Sequence, residues 1–169
     1  RVTPGVKSDF HENSRALCNK DHVMFRSNVA RGIYISQDRP DVSFAVKELS
    51  RQQSCPLESD FESLKRLGRY FIGAPRLVQL FKYQDESQLV TYVDTNFAGC
   101  LRTRKSTSGG MIMHGGNVVK HWSSTQSVIA LSSGEAEYYG SVKGGSNVMG
   151  IKAMCSDLGV MLKGSGACD

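Results

Sequence analysis

Two stretches decide the fold of this chain: Tyr92-Val93-Asp94-Thr95-Asn96-Phe97-Ala98-Gly99 and Ser132-Ser133-Gly134-Glu135-Ala136-Glu137-Tyr138. The first places the carboxylate of Asp94 inside an apolar segment of the β-branched and aromatic residues typical of a strand. An ionised carboxylate in a buried strand costs several kcal/mol unless a cation or hydrogen-bond donors meet it. We therefore interpret Asp94 as a residue present for chemistry. The structural alternative is a strand-end Asp that caps a nearby turn.

Periodicity and turn residues predict the elements around these stretches. Three strands are expected, the last two joined by a glycine-rich turn: Leu89 to Phe97, Gly109 to Met113 and Val118 to Trp122. A long helix is expected from residue 133 to about residue 158, and the tail from Gly166 to Asp169 begins another strand. This order of elements predicts the α/β fold class.

The first half of the chain is predicted to form helices after a loosely ordered polar leader. Pro40 is placed to start one helix, which presents Phe44, Ala45 and Leu49 on one side. For a second helix, Ser59 and Glu62 form a capping-box pattern, and the apolar residues recur at helical spacing: Phe61, Leu64, Leu67 and Phe71.

Composition limits the class of protein. The chain of 169 residues is long enough for one full domain and part of another. Its net charge of +5 favours a polyanionic partner. Five cysteines include no C-x-x-C pair and no nearby His pair at zinc-ligand spacing, so we expect reduced thiols in an intracellular protein. No apolar run approaches the length that spans a bilayer, so no membrane partner is expected.

Several motifs together resemble the ribonuclease H domain of copia-type retrotransposon Pol polyproteins. They are the runs from Tyr92 to Gly99, Arg104 to Gly109, Trp122 to Gln126 and Ala130 to Tyr138. The part before them resembles the end of the reverse transcriptase region of the same polyproteins, in the runs Phe25-Arg26-Ser27, Arg39 to Val46, Leu49-Ser50-Arg51 and Leu64 to Tyr70.

The resemblance implies three parts. Residues 1–24 would be the leader, 25–86 the end of the reverse transcriptase region or connection, and 87–169 a ribonuclease H-like domain. The implied fold is a ribonuclease H-like mixed sheet with a long helix, preceded by a helical connection segment. The chain starts with Arg1 and stops at Asp169, so we expect both ends to be cut and the C-terminal part of the fold to be missing.

The resemblance also implies the chemistry of a site. In the intact parent, the reaction would be metal-dependent hydrolysis of the RNA strand of RNA/DNA hybrids, with two Mg²⁺ ions, or Mn²⁺ in their place. The implied catalytic and metal-binding residues are Asp94, Glu137 and Asp169. Glu135 is the alternative to Glu137, but it lies three residues after Ser132 and so matches a capping-box partner. We expect the carboxyl groups of Asp94 and Glu137 to lie close enough to share a cation.

Phosphate contacts are assigned to a basic turn and to a helix face. The residues are Arg102, Arg104, Lys105 and Ser106 in the turn, and Lys65, Arg66 and Arg69 on the helix. Generic surface charge is the alternative for both groups. The expected partners are an RNA/DNA hybrid and the remainder of the Pol polyprotein, in the cytoplasm, a virus-like particle or the nucleus.

Whether this chain is itself an enzyme stays open at the level of sequence. The fourth carboxylate of the family has no counterpart before Asp169, so we expect cleavage by the chain to be weak or absent. The alternative is a non-catalytic remnant that at most binds nucleic acid. A third class is a structural adaptor with no nucleic-acid role.

Overall fold

The computed structural model of the chain describes residues 3–5, 14–83 and 87–168, with the backbone alone at 164–168. The chain divides into two compact units, Arg1–Val78 and Gln79–Asp169. The helices are α1 (Asn19–Ile35), a short 3-10 helix (Pro40–Val42), α2 (Ser43–Ser50), α3 (Glu58–Gly73) and α4 (Ser133–Asp157). The strands are β1 (Gln88–Asn96), β2 (Thr107–His114), β3 (Asn117–Thr125) and β4 (Lys163–Cys168).

The first unit has a small apolar core between its helices. The fully or nearly fully buried side chains are Phe25, Val29, Val42, Ala45, Val46, Leu49 and Leu67. Burial of each larger side chain contributes about 1.5–3 kcal/mol, which holds the helices together. The predicted helix at Pro40 is confirmed, with Ala45 and Leu49 facing the core. Phe44 instead lies largely exposed, with the Lys47 ammonium over its ring.

Two predictions for this unit are wrong. The leader was expected to extend to residue 24, but α1 begins at Asn19 because Phe25 and Val29 anchor it in the core. The Ser59–Glu62 capping box does not form. The Asp60 carboxylate accepts a hydrogen bond from the Leu57 backbone N–H at 2.9 Å, so the helix begins one residue before Ser59.

A polar network closes the end of α3. The Arg39 guanidinium donates two hydrogen bonds to the Asp41 carboxylate, at 3.0 and 2.8 Å, and a third to the Ala74 carbonyl at 3.1 Å. The Tyr70 hydroxyl donates to the same carboxylate at 2.7 Å. The Ala74 carbonyl follows the last turn of α3, where carbonyls lack helical partners. Arg39 therefore supplies a donor that the helix itself does not have.

The second unit is an α/β arrangement with one mixed sheet. The strand order is β3-β2-β1-β4, with β1 antiparallel to β2 and parallel to β4. The first three predicted strands, the glycine-rich turn and the long helix are confirmed. The fourth strand begins at Lys163, before the predicted Gly166, and Asp169 lies outside the described residues. The Asn117 side chain also bonds both the N–H and the carbonyl of Lys82, which ties residues ahead of the predicted boundary at 86 to this unit.

Helix α4 packs on the sheet through a stripe of small residues. Ala136, Gly140 and Gly144 are buried, at the spacing of one helical face. A Cβ added at Gly144 would come within 2.6 Å of a Val93 methyl group. The sheet therefore lies too close to the helix for a larger side chain. This close packing offsets the cost of up to about 1 kcal/mol that a glycine carries in a helix interior.

Candidate active site

The two glutamates at the start of α4 have different surroundings. The Ser132 hydroxyl accepts a hydrogen bond from the Glu135 backbone N–H at 3.1 Å. The Glu135 carboxylate accepts one from the Leu131 backbone N–H at 2.7 Å. The first bond satisfies an N–H of the first helical turn, and the second fixes the chain as it enters the helix. The predicted role of Glu135 as a capping residue is confirmed.

Glu137 has no comparable partners. Its side chain is half-buried, and its Oε2 atom is buried without a hydrogen-bond partner among the residues that the structure describes. A buried carboxylate oxygen of this kind is costly unless a donor or a cation meets it. At about 100° per residue, Glu137 lies on the flank of α4 away from Lys143. Lys143 bonds Ser124 on β3, so Glu137 lies on the β1 and β4 side.

Asp94 lies on the other face of the sheet from α4. A Cβ at Gly140 would approach Thr95 Cγ2 within 2.5 Å and Val93 Cγ1 within 3.0 Å, so both of these side chains face the helix. Side chains alternate along a strand, so Asp94 points away from α4, and it is exposed. The interpretation of Asp94 as a buried strand carboxylate is therefore wrong. The two carboxylates do not project towards each other across the helix–sheet interface, so their orientations do not support the expectation that they lie close enough to share a cation.

Both carboxylates nevertheless belong to one end of the sheet. Gly144 lies over Thr91 and Val93, and Gly140 lies over Val93 and Thr95, so α4 runs antiparallel to β1. The start of α4 is therefore at the carboxyl end of β1. Strand β4 runs parallel to β1, and its residue Cys168 pairs with Val93. Asp169, the third predicted ligand, lies outside the described residues.

The described residues do not by themselves form a metal site. Among the described side chains, those of residues 3–5, 14–83 and 87–163, no three His, Cys, Asp or Glu gather closely enough to hold a metal ion. The unpartnered oxygen of Glu137 fits a cation ligand, because carboxylate oxygens are what Mg²⁺ and Mn²⁺ prefer. Asp94 is accessible from solvent at the same end of the sheet.

A buried amide braces the start of α4. Gln126, which follows β3, donates from Nε2 to the Ser108 hydroxyl and to the Ala136 carbonyl, both at 2.9 Å. Its backbone N–H donates to the Ser106 carbonyl at 2.8 Å. The Ser106 hydroxyl in turn accepts from the Ala98 N–H at 3.0 Å. These bonds join the chain just beyond β1 to the first turn of α4.

Comparisons with known proteins show what this chain is similar to. The chain is 31% identical over 161 residues to the retrovirus-related Pol polyprotein from transposon RE1 of Arabidopsis thaliana, a match that covers 95% of this chain and 11% of that protein. It is 31% identical over 125 residues to the Pol polyprotein from transposon TNT 1-94 of Nicotiana tabacum, covering 74% of this chain and 9% of that protein. This chain belongs to the retrovirus-related Pol polyproteins of copia-type transposons.

The match covers a small part of these long Pol polyproteins. This Pol chain spans about a tenth of the length of the relatives from transposons RE1 and RE2. It is also 37% identical over 100 residues to the secreted RxLR effector protein 161 of Plasmopara viticola, covering 59% of this chain and 70% of that protein. No protein-family model and no solved structure matches the chain. None of the helices in the described ranges has the length and apolar character needed to cross a membrane.

The predicted basic turn of this Pol chain is ordered by its own backbone. The Arg104 N–H donates to the Cys100 carbonyl at 2.7 Å, and Arg104 adopts a left-handed conformation with φ of 55°. Arg102 and Arg104 are exposed, as phosphate contacts must be. The Lys105 ammonium donates to the Ser127 carbonyl at 2.6 Å, which directs it towards the segment that leads into α4.

Ser106 does not fit the predicted role of a phosphate contact. Its side chain is fully buried, and its hydroxyl accepts the hydrogen bond from Ala98. A phosphate contact needs a donor that solvent can reach. Ser106 is therefore a structural residue of the turn, and this assignment from sequence is wrong.

The predicted basic face of α3 is partly occupied by internal contacts. The Lys65 ammonium lies 2.6 Å from Glu62, and this ion pair holds the pKa of the Glu62 carboxyl below its usual value. The Arg66 guanidinium donates to the Thr3 carbonyl and hydroxyl at 3.1 and 3.0 Å. Arg69 is exposed. Of the three cations, Arg69 is therefore the one most accessible to a phosphate.

Gln126 is a residue of the candidate site that was not predicted from the sequence. It ends the run from Trp122 to Gln126, and its bonding partners Ser108 and Ala136 lie 18 and 10 positions away in the chain. Its signal was weak: a single amide between hydroxyl residues, just before the segment that enters the helix.

Proposed function

We propose that the second unit is a ribonuclease H-type domain that hydrolyses the RNA strand of RNA/DNA hybrids with divalent metal ions. The proposal is supported by membership of the Pol family and by the order of elements, three antiparallel strands followed by a helix and a parallel strand. The observation that carries it is the buried, unpartnered Oε2 atom of Glu137 at the start of α4.

This oxygen has the character of a ligand rather than a packing atom. Glu135, two residues away, directs its carboxylate to a backbone N–H and has a clear structural role. Glu137 has no such role among the described residues, although burying its oxygen is unfavourable. Proteins often place functional groups in positions that lower the stability of the fold. A cation at this oxygen would offset the cost of burying it without a partner.

The residues would divide the work as follows. Glu137 would bind a cation from the α4 side, and Asp94 from the exposed end of β1. Asp169 is proposed as a third ligand, since it follows Cys168 on the strand parallel to β1. Bound magnesium ions would activate the attacking water and stabilise the leaving oxygen. Arg102 and Arg104 would contact phosphates of the hybrid without regard to sequence.

A non-catalytic remnant that binds nucleic acid is the second candidate. The orientation of Asp94 away from α4 favours it, as does the lack of a three-ligand group among the described residues. On this alternative the exposed arginines would still bind a hybrid, but no metal site would form. In either case, the remainder of the Pol polyprotein is the proposed protein partner.

Metal binding decides between the two candidates. We expect Mn²⁺ to bind the chain in isothermal titration calorimetry and to broaden NMR signals around Glu137. Glu137→Gln and Asp94→Asn should each weaken this binding by at least about tenfold, and Glu135→Gln should leave it unchanged. Cleavage of a labelled hybrid with Mg²⁺ is measured beside it, and we expect it to be slow.

Two results would reject the nuclease proposal. One is Mn²⁺ binding that is equally strong in the wild-type chain and in Glu137→Gln. The other is no Mn²⁺ binding together with salt-dependent binding of the hybrid, which would establish the remnant instead.

A further inference from the structure

We infer that Gln126 is a positioning residue for Glu137. The inference rests on the proposed function, because it assigns Gln126 to the support of a proposed metal ligand. The Ala136 carbonyl, which accepts a hydrogen bond from Gln126 Nε2 at 2.9 Å, belongs to the same peptide group as the Glu137 N–H. Gln126 therefore holds the backbone from which the Glu137 side chain projects.

The orientation of the Gln126 amide follows from the two partners of its nitrogen, while its Oε1 atom is buried without a hydrogen-bond partner among the described residues. A carbonyl oxygen can only accept a hydrogen bond, so the nitrogen of the amide must face Ala136. The same nitrogen donates to the Ser108 hydroxyl on β2. Only 9% of the surface of Gln126 is exposed. In such a buried environment a hydrogen bond is stronger than in water, and the loss of a partner is costly.

Ser108 joins this support to the strand under the helix. Ser108 is buried, and its hydroxyl would lie 3.7 Å from a Cβ at Gly140. It pairs in register with Thr95, the residue after Asp94. The chain of contacts from β1 through Ser108 and Gln126 therefore ends at the peptide group of Glu137.

Packing alone would not fix Glu137 in this way. The small residues of α4 hold the helix against the sheet, but small, smooth surfaces allow a helix to rotate or slide. A hydrogen bond to one carbonyl of the first turn sets the rotation of that turn. The direction of Glu137 then depends on a bond that Gln126 makes and that no apolar side chain could replace.

The test replaces Gln126 by methionine, which has a similar length and no donor. In Gln126→Met, we expect the Mn²⁺ dissociation constant to rise about tenfold, as is usual when a supporting residue of a metal site is lost. Amide hydrogen exchange should become faster at Glu137 and Gly140 than in the rest of α4. The matched control is Leu89→Ala, which removes a buried side chain at the opposite end of β1. It should destabilise the sheet without changing the dissociation constant of the folded protein.

Ser108→Ala serves as a second variant, because it removes the other acceptor of the Gln126 amide with little change in volume. We expect the Mn²⁺ dissociation constant to rise in Ser108→Ala as well, but by less than in Gln126→Met. An unchanged Mn²⁺ dissociation constant in both variants would overturn the inference, and so would exchange that becomes faster uniformly along α4. If the wild-type chain binds no Mn²⁺, the proposed function fails. The exchange pattern then still decides whether Gln126 holds the first turn.

Discussion

Gly140 of α4 lies directly on Thr95 of β1, with a position for Cβ only 2.5 Å from the Thr95 methyl group. Both neighbours at this point, Thr95 and Val93, are β-branched and have few alternative rotamers. The helix and the strand can therefore approach this closely only because Gly140 has no side chain.

Gly140→Ala should destabilise the second unit by about 1–3 kcal/mol, because the added methyl group overpacks this contact. Gly145→Ala is the matched control. No atom lies within 4 Å of its Cβ position, so it should stabilise the helix by up to about 1 kcal/mol. The single tryptophan, Trp122, lies in this unit, so its fluorescence during urea unfolding measures both effects. Equal changes in the two variants would contradict the packing described for α4.

Neutralising Glu137 should stabilise the chain when metal is absent. The buried oxygen costs less in an uncharged amide than in a carboxylate. Glu137→Gln should therefore raise the free energy of unfolding in EDTA by about 1 kcal/mol. Mn²⁺ should stabilise the wild-type chain in proportion to its binding, and should not stabilise the variant. Thermal unfolding with EDTA and with Mn²⁺ provides the comparison. A variant less stable than wild type in EDTA would show that Glu137 has a structural role.

The network at Asp41 should make the first unit sensitive to acid. Hydrogen bonds from Arg39, and then from Tyr70, hold the pKa of the Asp41 carboxyl below its usual value. A carboxyl with a lowered folded-state pKa stabilises the fold above its unfolded-state pKa and loses that contribution as pH falls through the folded-state value. Asp41→Asn should therefore cost about 2 kcal/mol at pH 7. The difference from wild type should shrink as pH falls below the usual range of an aspartate.

Far-UV circular dichroism during urea unfolding, at pH 7 and in acid, measures this difference, because the described part of the first unit is helical. Glu62→Gln is the control. Its pKa is also lowered, by Lys65, but the group is fully exposed and its ion pair should contribute little. A cost for Asp41→Asn that does not change with pH would argue against the network.

Arg104→Gly should separate the charge of the basic turn from its conformation. Arg104 has φ of 55°, a left-handed conformation that costs a side-chain-bearing residue about 1–2 kcal/mol and costs glycine little. The variant should therefore be at least as stable as wild type. Its binding to an RNA/DNA hybrid should weaken, and the slope of log affinity against log salt should fall by about one. Fluorescence anisotropy at several salt concentrations measures this slope. An absence of hybrid binding at every salt concentration would favour the adaptor class.

The sequence was sufficient for the elements of the second unit because their signals are local. The glycine-rich turn at 115–117 fixes the β2–β3 hairpin, and the Ser132 cap with Glu135 fixes the start of α4. In the first unit, the predicted Ser59–Glu62 capping box of α3 was wrong because Asp60 and Ser59 are both good residues for a helix N-terminus. Two hydrogen bonds decide between them: the Ser59 backbone N–H donates to the Ser14 hydroxyl, and the Leu57 backbone N–H donates to the Asp60 carboxylate.

The candidate site was harder to predict because it depends on which face a side chain occupies. The alternation along β1 did contain a signal: Thr91, Val93 and Thr95 share one face, while Asp94 and Asn96 share the other with Tyr92. This pattern places Asp94 on the exposed face, which the interpretation of Asp94 as a buried residue did not take into account. For Ser106 and Gln126, no local pattern shows whether a polar side chain bonds within the protein or faces solvent.

The parallel pairing of β1 with β4 has a consequence for the order in which the second unit is made. Strand β1 finds its β2 partner as soon as the hairpin side of the sheet is synthesised, but Gln88 pairs with Lys163, which lies beyond the whole of α4. Translation at about 5–20 residues per second leaves several seconds between these two strands. During that interval on the ribosome, one edge of β1 stays open. This edge of β1 can be paired only after β4 has emerged.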